Sequence, residues 1–480
     1  MAAMIAAVFV SARGFVTRRH RDDASRLSGA TTILYNVRMR RLLSLSLIVF
    51  SVACATTPPP APVAQTVAPA TNDVLKRRLA LGAQLMPGEG GVKVGMLPPD
   101  GAAAAAGLKT GDVIVSVAGR AVTRPDEIVG MMKQLPGGPT EFRILRDGAP
   151  STISVQLKEA PRDQSSDYDV IYDSVRAAGA LRRTIITKPH GDEKRPAVLF
   201  AGGIGCYSLD TPPALLGGYG ALLQEITRQG FVVMRVEKSG IADSEGIPCP
   251  QQDFENELAG YRAGLAKLAT YPYVDASRIF LVGHSIGGIV APVIASEQPL
   301  RGVVAMSTAG RRWFDYEVVN TRRQSSMDGT KGEELEKLLA LHEVCARQVL
   351  LERKTPDEVL KSEPKCSDFL HYPAHYTYLQ EIAALDPTAL WKKVNAPVLL
   401  IHGASDFVTD RDEHELIAAA VNSTHPGNAT LIVEPHMDHF MRDVASMDES
   451  MRMLKANETD KQPLQAQVRA DILAWLKAHS

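Results

Sequence analysis

Apolar and polar positions alternate with two different periods along this chain, and the second half is the more regular. Strands with one wet and one dry face are expected at residues 170–176 and 181–188, hinged at Ala178-Gly179. Continuous apolar runs, the mark of strands buried on both faces, follow at 198–201, 279–282, 302–306 and 397–401, with further strands at 232–237 and 429–433. Helix-period stretches fall between them at 215–229, 254–270 and 286–295, and 464–478 supplies a last helix. Such alternation predicts an α/β domain with a mostly parallel sheet and helices on both faces. Residues 311–393 break the rhythm with helical, charged sequence. An insertion that long reads as a cap over the sheet's carboxyl edge. It carries Trp313, Phe314, Tyr316, His371, Tyr372, His375, Tyr376 and Tyr378, some expected to line a pocket and others to pack.

The first half patterns differently. Residues 73–161 read as a small α+β module, with strands at 91–97, 142–146 and 151–157 and a helix at 125–135. Asp147-Gly148 is a hairpin turn by its chemistry. A polar linker, 162–166, precedes the larger domain at 167–480. Before the module, residues 54–72 are rich in Pro, Ala and Thr, cannot build a core and read as a tether. Arg38, Arg40 and Arg41 precede a 12-residue apolar stretch that ends at Ala53, followed by Cys54. This is the pattern of a secretory signal, here 39–53, with Met39 as the expected start and 1–38 as a mis-assigned one. No run of 18 apolar residues predicts a spanning helix.

Composition narrows the function. With 53 basic and 54 acidic residues in 480, no field attracts nucleic acid. Apart from Cys54 the cysteines are Cys206, Cys249, Cys345 and Cys366, an even remainder that fits two disulfides in an exported chain. Locality favours pairing 206 with 249 and 345 with 366. No metal or organic cofactor is expected: His436 and His439 lack a third ligand.

The chemistry centres on Gly283-His284-Ser285-Ile286-Gly287, a G-x-S-x-G turn between an apolar strand and a helix. There the serine hydroxyl is lifted clear of its backbone. It needs a base. Asp406 follows the 397–401 strand and His439 follows the 429–433 strand, giving the order Ser, Asp, His. Asp410 and Asp412 rival Asp406, and His436 rivals His439; His284 and His402 read as packing residues. The glycines after residue 201 suit an oxyanion hole, whose donors are expected to be the Ile286 N–H and that of Gly203 or Ile204.

Residues 168–480 resemble the α/β-hydrolase superfamily, on Gly202-Gly203, Lys238-Ser239-Gly240-Ile241-Ala242-Asp243-Ser244, Gly283 to Gly288, His402 to Asp406 and Asp438-His439. The resemblance implies a serine hydrolase acting on esters, with a serine aminopeptidase-like or prolyl-oligopeptidase-like peptidase as the alternative. A binding protein with an inactive hydrolase platform is the third reading. Ala106-Gly107-Leu108-Lys109-Thr110-Gly111-Asp112-Val113-Ile114 resembles the bacterial secreted kind of PDZ domain. That implies capture of peptide carboxyl termini beside a loop of free N–H groups, for which Leu79, Leu81 and Gly82 are the candidates. A groove that stays empty, with the module acting as a spacer or brace, is the alternative. The cysteine after Ala53 resembles a bacterial lipoprotein signal, which implies lipidation at Cys54 and attachment to a membrane of the cell envelope.

Overall fold

The computed structural model describes residues 75–210, 217–456, 458 and 462–480. The signal stretch 39–53, Cys54, the tether and residues 1–38 lie outside them.

Seven strands build the first module: β1 (Leu79–Ala80), β2 (Leu85–Gly88), β3 (Gly91–Val94), β4 (Val113–Val117), β5 (Arg120–Ala121), β6 (Gly138–Arg146) and β7 (Ala149–Glu159). They pair in the order β1-β7-β6-β4-β3-β2, with β5 beside β4. Helix Pro125–Gln134 packs its Ile128 and Met132 against a core that includes Val92, Ile114, Phe142, Ile144 and Val155. The β6–β7 hairpin turns at Asp147-Gly148, both at positive φ, as the right-handed twist of paired strands requires of a two-residue loop.

The larger domain is an α/β fold built on eight strands: β8 (Tyr168–Ala177), β9 (Ala180–Pro189), β10 (Arg195–Ala201), β11 (Val232–Val236), β12 (Val274–His284), β13 (Gly302–Met306), β14 (Val398–Gly403) and β15 (Ala429–Glu434). Their order is β15-β14-β13-β12-β10-β11-β9-β8. Only β9 runs antiparallel to its neighbours; the other pairs are parallel. Parallel strands need helices on both faces, and the side chains divide accordingly. Leu199, Leu281, Val303 and Leu400 meet helices Phe254–Leu268 and Ile286–Glu297 on one face. Val198, Phe280, Val304 and Leu399 meet helices Gly218–Arg228 and Ala466–His479 on the other.

One strand departs from its pattern. The alternation at 181–188 predicts a wet face, but β9 is buried almost throughout, Arg182, Arg183 and Lys188 included. It lies between β8 and β11 rather than at an edge. Two of its charges are offset locally: Lys188 pairs with Asp169 at 2.7 Å, and the Arg183 guanidinium meets Asp243 at 3.0 Å and donates to the carbonyls of Asp173 and Leu75. Without such partners a buried cation would cost several kcal/mol, on the order of 3–5.

The same carboxylates brace the first module. Arg77, 4% exposed, donates to Asp210, to Asp243 at 2.9 Å and to the carbonyls of Ala160 and Pro161. The Arg78 N–H meets Asp243 at 2.9 Å, and Tyr172 donates to Asp210 at 2.8 Å. At the carboxyl end of helix Pro125–Gln134, Lys133 donates to the carbonyls of Gly240 and Ser244 at 2.6 and 2.8 Å.

The insertion forms helices Trp313–Met327, Gly332–Ala346, Pro356–Ser362, Tyr376–Ala383 and Pro387–Trp391. Cys345 and Cys366 are bonded inside it, among Val349, Leu350, Val359 and Leu379. Cys206 and Cys249 are bonded between the loops that follow β10 and β11. Among the described residues no helix is long and apolar enough to cross a membrane.

Candidate active site

β12 ends at His284 and helix Ile286–Glu297 begins two residues on, so Ser285 alone makes the turn, at φ +55° and ψ −119°. A non-glycine residue there is strained, and only tight surroundings hold it. Those surroundings need glycine on both sides. A Cβ on Gly283 would lie 2.3 Å from the Gly287 carbonyl oxygen, and one on Gly287 would lie 2.0 Å from that of Ala201. The G-x-S-x-G spacing is therefore a packing requirement that aims one hydroxyl.

The aim is at His439, whose Nε2 lies 3.2 Å from Ser285 Oγ. The Nδ1 of the same ring lies 3.0 Å from Asp406 Oδ2. Asp406 is 1% exposed. Burial works to raise its pKa, but the imidazole of His439 and bonds that include the Thr409 N–H outweigh it and hold the carboxyl below its usual range. Its Oδ1 accepts the N–H groups of Val408 and Thr409, and Oδ2 accepts the Thr409 hydroxyl at 2.7 Å. An ionised Asp406 assigns the Nδ1–H tautomer to His439, which leaves Nε2 as the acceptor facing the serine.

The rivals sit elsewhere. Asp410 caps helix Arg411–Thr424 and pairs with Arg323, and Asp412 is exposed in that helix's first turn. His436 is exposed. His402 is buried against His414, with ring centres 5.0 Å apart. His284 does more than fill space. Burial, helped by the neighbouring His439, drives its pKa down to about 3, so the ring is neutral. Its Nε2 bonds the His439 carbonyl at 2.6 Å, and its Nδ1 faces the Tyr219 hydroxyl.

The glycine loop after β10 requires one correction. The Gly203 N–H already donates to Tyr219 Oη at 3.2 Å. The Gly203 carbonyl accepts Lys238 Nζ at 2.9 Å and the Tyr207 hydroxyl at 3.0 Å. That leaves Ile204 and Ile286, whose N–H groups have no partner among the described residues. Tyr207, Tyr219 and Lys238 carry no sequence signal of this role, because three separate segments bring them to one glycine.

The first module also departs from expectation in part. Leu79 lies in β1, paired with Glu159, not in an open loop, because Leu79 and Leu81 both pack into the module core. The Leu81 carbonyl accepts the Ala103 N–H at 2.8 Å, and Gly82, at φ +68°, passes close to Gly101. Among the described residues no group of three His, Cys, Asp or Glu side chains could hold a metal ion.

Both parts of the chain are similar to known proteins. Residues 215–442 match the serine aminopeptidase S33 family, and residues 98–146 match the PDZ domain. The chain is similar to Esterase EstD of Thermotoga maritima, 22% identical over 294 residues, which are 61% of this chain and 64% of that protein. It is also similar to the magnetosome formation protease MamE of Magnetospirillum gryphiswaldense, 42% identical over 82 residues, 17% of this chain and 10% of that one. This chain thus spans less than two thirds of either relative. Among solved structures, a hypothetical protein of Pseudomonas aeruginosa superposes with a TM-score of 0.42 at 14% identity, over 66% of this chain and 95% of that one. The larger domain is thus similar to the serine aminopeptidase S33 family over residues 215–442, and the module ahead of it to the PDZ domain over residues 98–146.

Proposed function

We propose that this protein cleaves carboxylic esters or related acyl bonds through an acyl-enzyme. The observation that carries the reading is the continuous Ser285–His439–Asp406 hydrogen-bond chain, at 3.2 and 3.0 Å. Ser285 Oγ attacks the carbonyl carbon as its proton passes to His439 Nε2. Asp406 holds the ring and stabilises the imidazolium. The N–H groups of Ile204 and Ile286 receive the oxyanion. His439 then protonates the leaving alkoxide, and water repeats the sequence in reverse to free the acid. Turnover of p-nitrophenyl esters that vanishes in Ser285→Ala tests this directly. Inert esters together with an unlabelled Ser285 under a phosphonate probe would overturn it.

The match to a serine aminopeptidase family supports a second reading, a peptidase. Aminoacyl and X-Pro anilides run beside the esters separate the two. In either reading the PDZ domain is proposed to take peptide carboxyl termini. Two disulfides support an oxidising compartment, and with the sequence around Cys54 we place the protein in the cell envelope, anchored by lipid. Palmitate incorporation that persists in Cys54→Ala would sink the anchor.

A further inference from the structure

We infer that Lys238 is a positioning residue for the oxyanion hole, acting through the peptide that joins Gly203 to Ile204. The inference rests on the reading that the Ile204 N–H faces the developing oxyanion.

A peptide group is planar and turns as one body, so whatever holds its carbonyl also aims its N–H. No peptide among the described residues is cis, so the Ile204 N–H points away from the Gly203 carbonyl. That carbonyl is held twice, by Lys238 Nζ at 2.9 Å and by the Tyr207 hydroxyl at 3.0 Å. On the other side of Gly203, its own N–H is held by Tyr219 at 3.2 Å. Both soft dihedrals of the residue are thereby restrained before substrate arrives, as a preorganised donor requires.

Lys238 adds charge to geometry. A cation on the carbonyl oxygen draws density from the amide and strengthens its N–H as a donor, an effect that a low-dielectric site preserves. Lys238 is 8% exposed and lies in the loop after β11, so it reaches the oxyanion loop from the neighbouring strand. Its own position is set by Glu257 Oε1 at 3.2 Å and by the Tyr207 ring, 5.5 Å from Nζ. Glu257 is held independently by Gln252 at 3.0 Å. The disulfide from Cys206 to Cys249 ties together the two loops that supply Tyr207 and Lys238. The ammonium is thus placed between Glu257 and the Gly203–Ile204 peptide.

The test uses kcat, KM and two inhibitors on the full chain. A trifluoromethyl ketone adds to the serine and creates the oxyanion; the matching methyl ketone binds without it. Lys238→Met is expected to lower kcat about 30- to 100-fold, with KM within about threefold, as loss of an oxyanion contact does. Trifluoromethyl ketone binding should weaken in step while methyl ketone binding holds. Lys238→Arg should recover about a third or more of the loss on a logarithmic scale, and Tyr207→Phe should show a smaller shift, about 3- to 10-fold, of the same kind. Because Lys238→Met strands Glu257, a Lys238→Met/Glu257→Gln variant keeps charge balanced and serves if the single variant does not fold. A folded double variant with the wild-type kcat and the wild-type ratio of the two inhibitors would overturn the inference. So would equal weakening of both ketones. Wild-type protein inert to substrate and phosphonate would remove the hydrolase reading as well, which sets that failure apart.

Discussion

Two buried networks in this protein are built on aspartate, and they do opposite work because of what each aspartate faces. Asp406 faces an imidazole, and Asp210 and Asp243 face the guanidinium groups of Arg77, Arg78 and Arg183. Burial works to raise all three carboxyls, and in each case the partners outweigh it and hold the group below its ordinary range. The sign is therefore common: each adds stability above the unfolded carboxylate pKa of about 3.9, lost as pH falls below it. The difference lies in the partner. An imidazole can give up and take back a proton near neutrality, whereas a guanidinium cannot. Facing the first, a buried carboxylate supports proton transfer. Facing the second, it only fastens.

The largest expected effect breaks the catalytic side of this comparison. Ser285→Ala should abolish ester turnover, and Asp406→Asn should lower kcat of the folded fraction by about 10⁴. A drop of less than tenfold in Asp406→Asn would assign the orienting acid elsewhere. Asp243→Ala should do the reverse. It strands Arg183 and removes one of the two carboxylates on Arg77, so a stability loss of about 3–5 kcal/mol is expected, with kcat of the folded fraction changed little. Chemical denaturation read beside initial rates decides it.

The disulfides sharpen the same contrast. Removing Cys345–Cys366, 21 residues apart, should cost about 3 kcal/mol and spare kcat, whereas removing Cys206–Cys249 should lower both. Smallest is a pH effect at Glu237, where burial, opposed by the Ser208 hydroxyl, pushes the pKa up to about 7. A raised carboxyl favours the native state while protonated, so its contribution is full below about 4.5 and lost as pH climbs through 7. Against Glu237→Gln, wild type should lose up to about 3 kcal/mol between pH 5 and 8. Parallel stability profiles would refute that.

The sequence was most legible where local chemistry dictates geometry. The nucleophile turn, the Ala178-Gly179 and Asp147-Gly148 hairpins and the continuous apolar strands each carry their cause within a few residues. The wet face expected for 181–188 was absent because strand order, a long-range property, decides whether a polar position meets water or a partner. Arg182 and Arg183 look like surface residues until Asn256 and Asp243 are brought to them. The Gly203 donor was misread for a similar reason. A glycine loop shows that N–H groups can come close, but not that Tyr219 takes one of them. His284 reads as packing because a histidine in an apolar strand gives no sign of a bond to the backbone of another histidine.

The way the chain enters and leaves the first module has an engineering consequence. β1 and the end of β7 are antiparallel neighbours, the Arg78 carbonyl accepts the Ala160 N–H, and Arg77 grips Ala160 and Pro161 from the same side. Both ends of the module are thereby gathered at one seam. A seam of this kind makes the domain an exchangeable cassette: any fold whose two ends lie side by side could be spliced between Arg78 and Ala160. Evolution has the same freedom, to exchange the module without redesigning the larger domain.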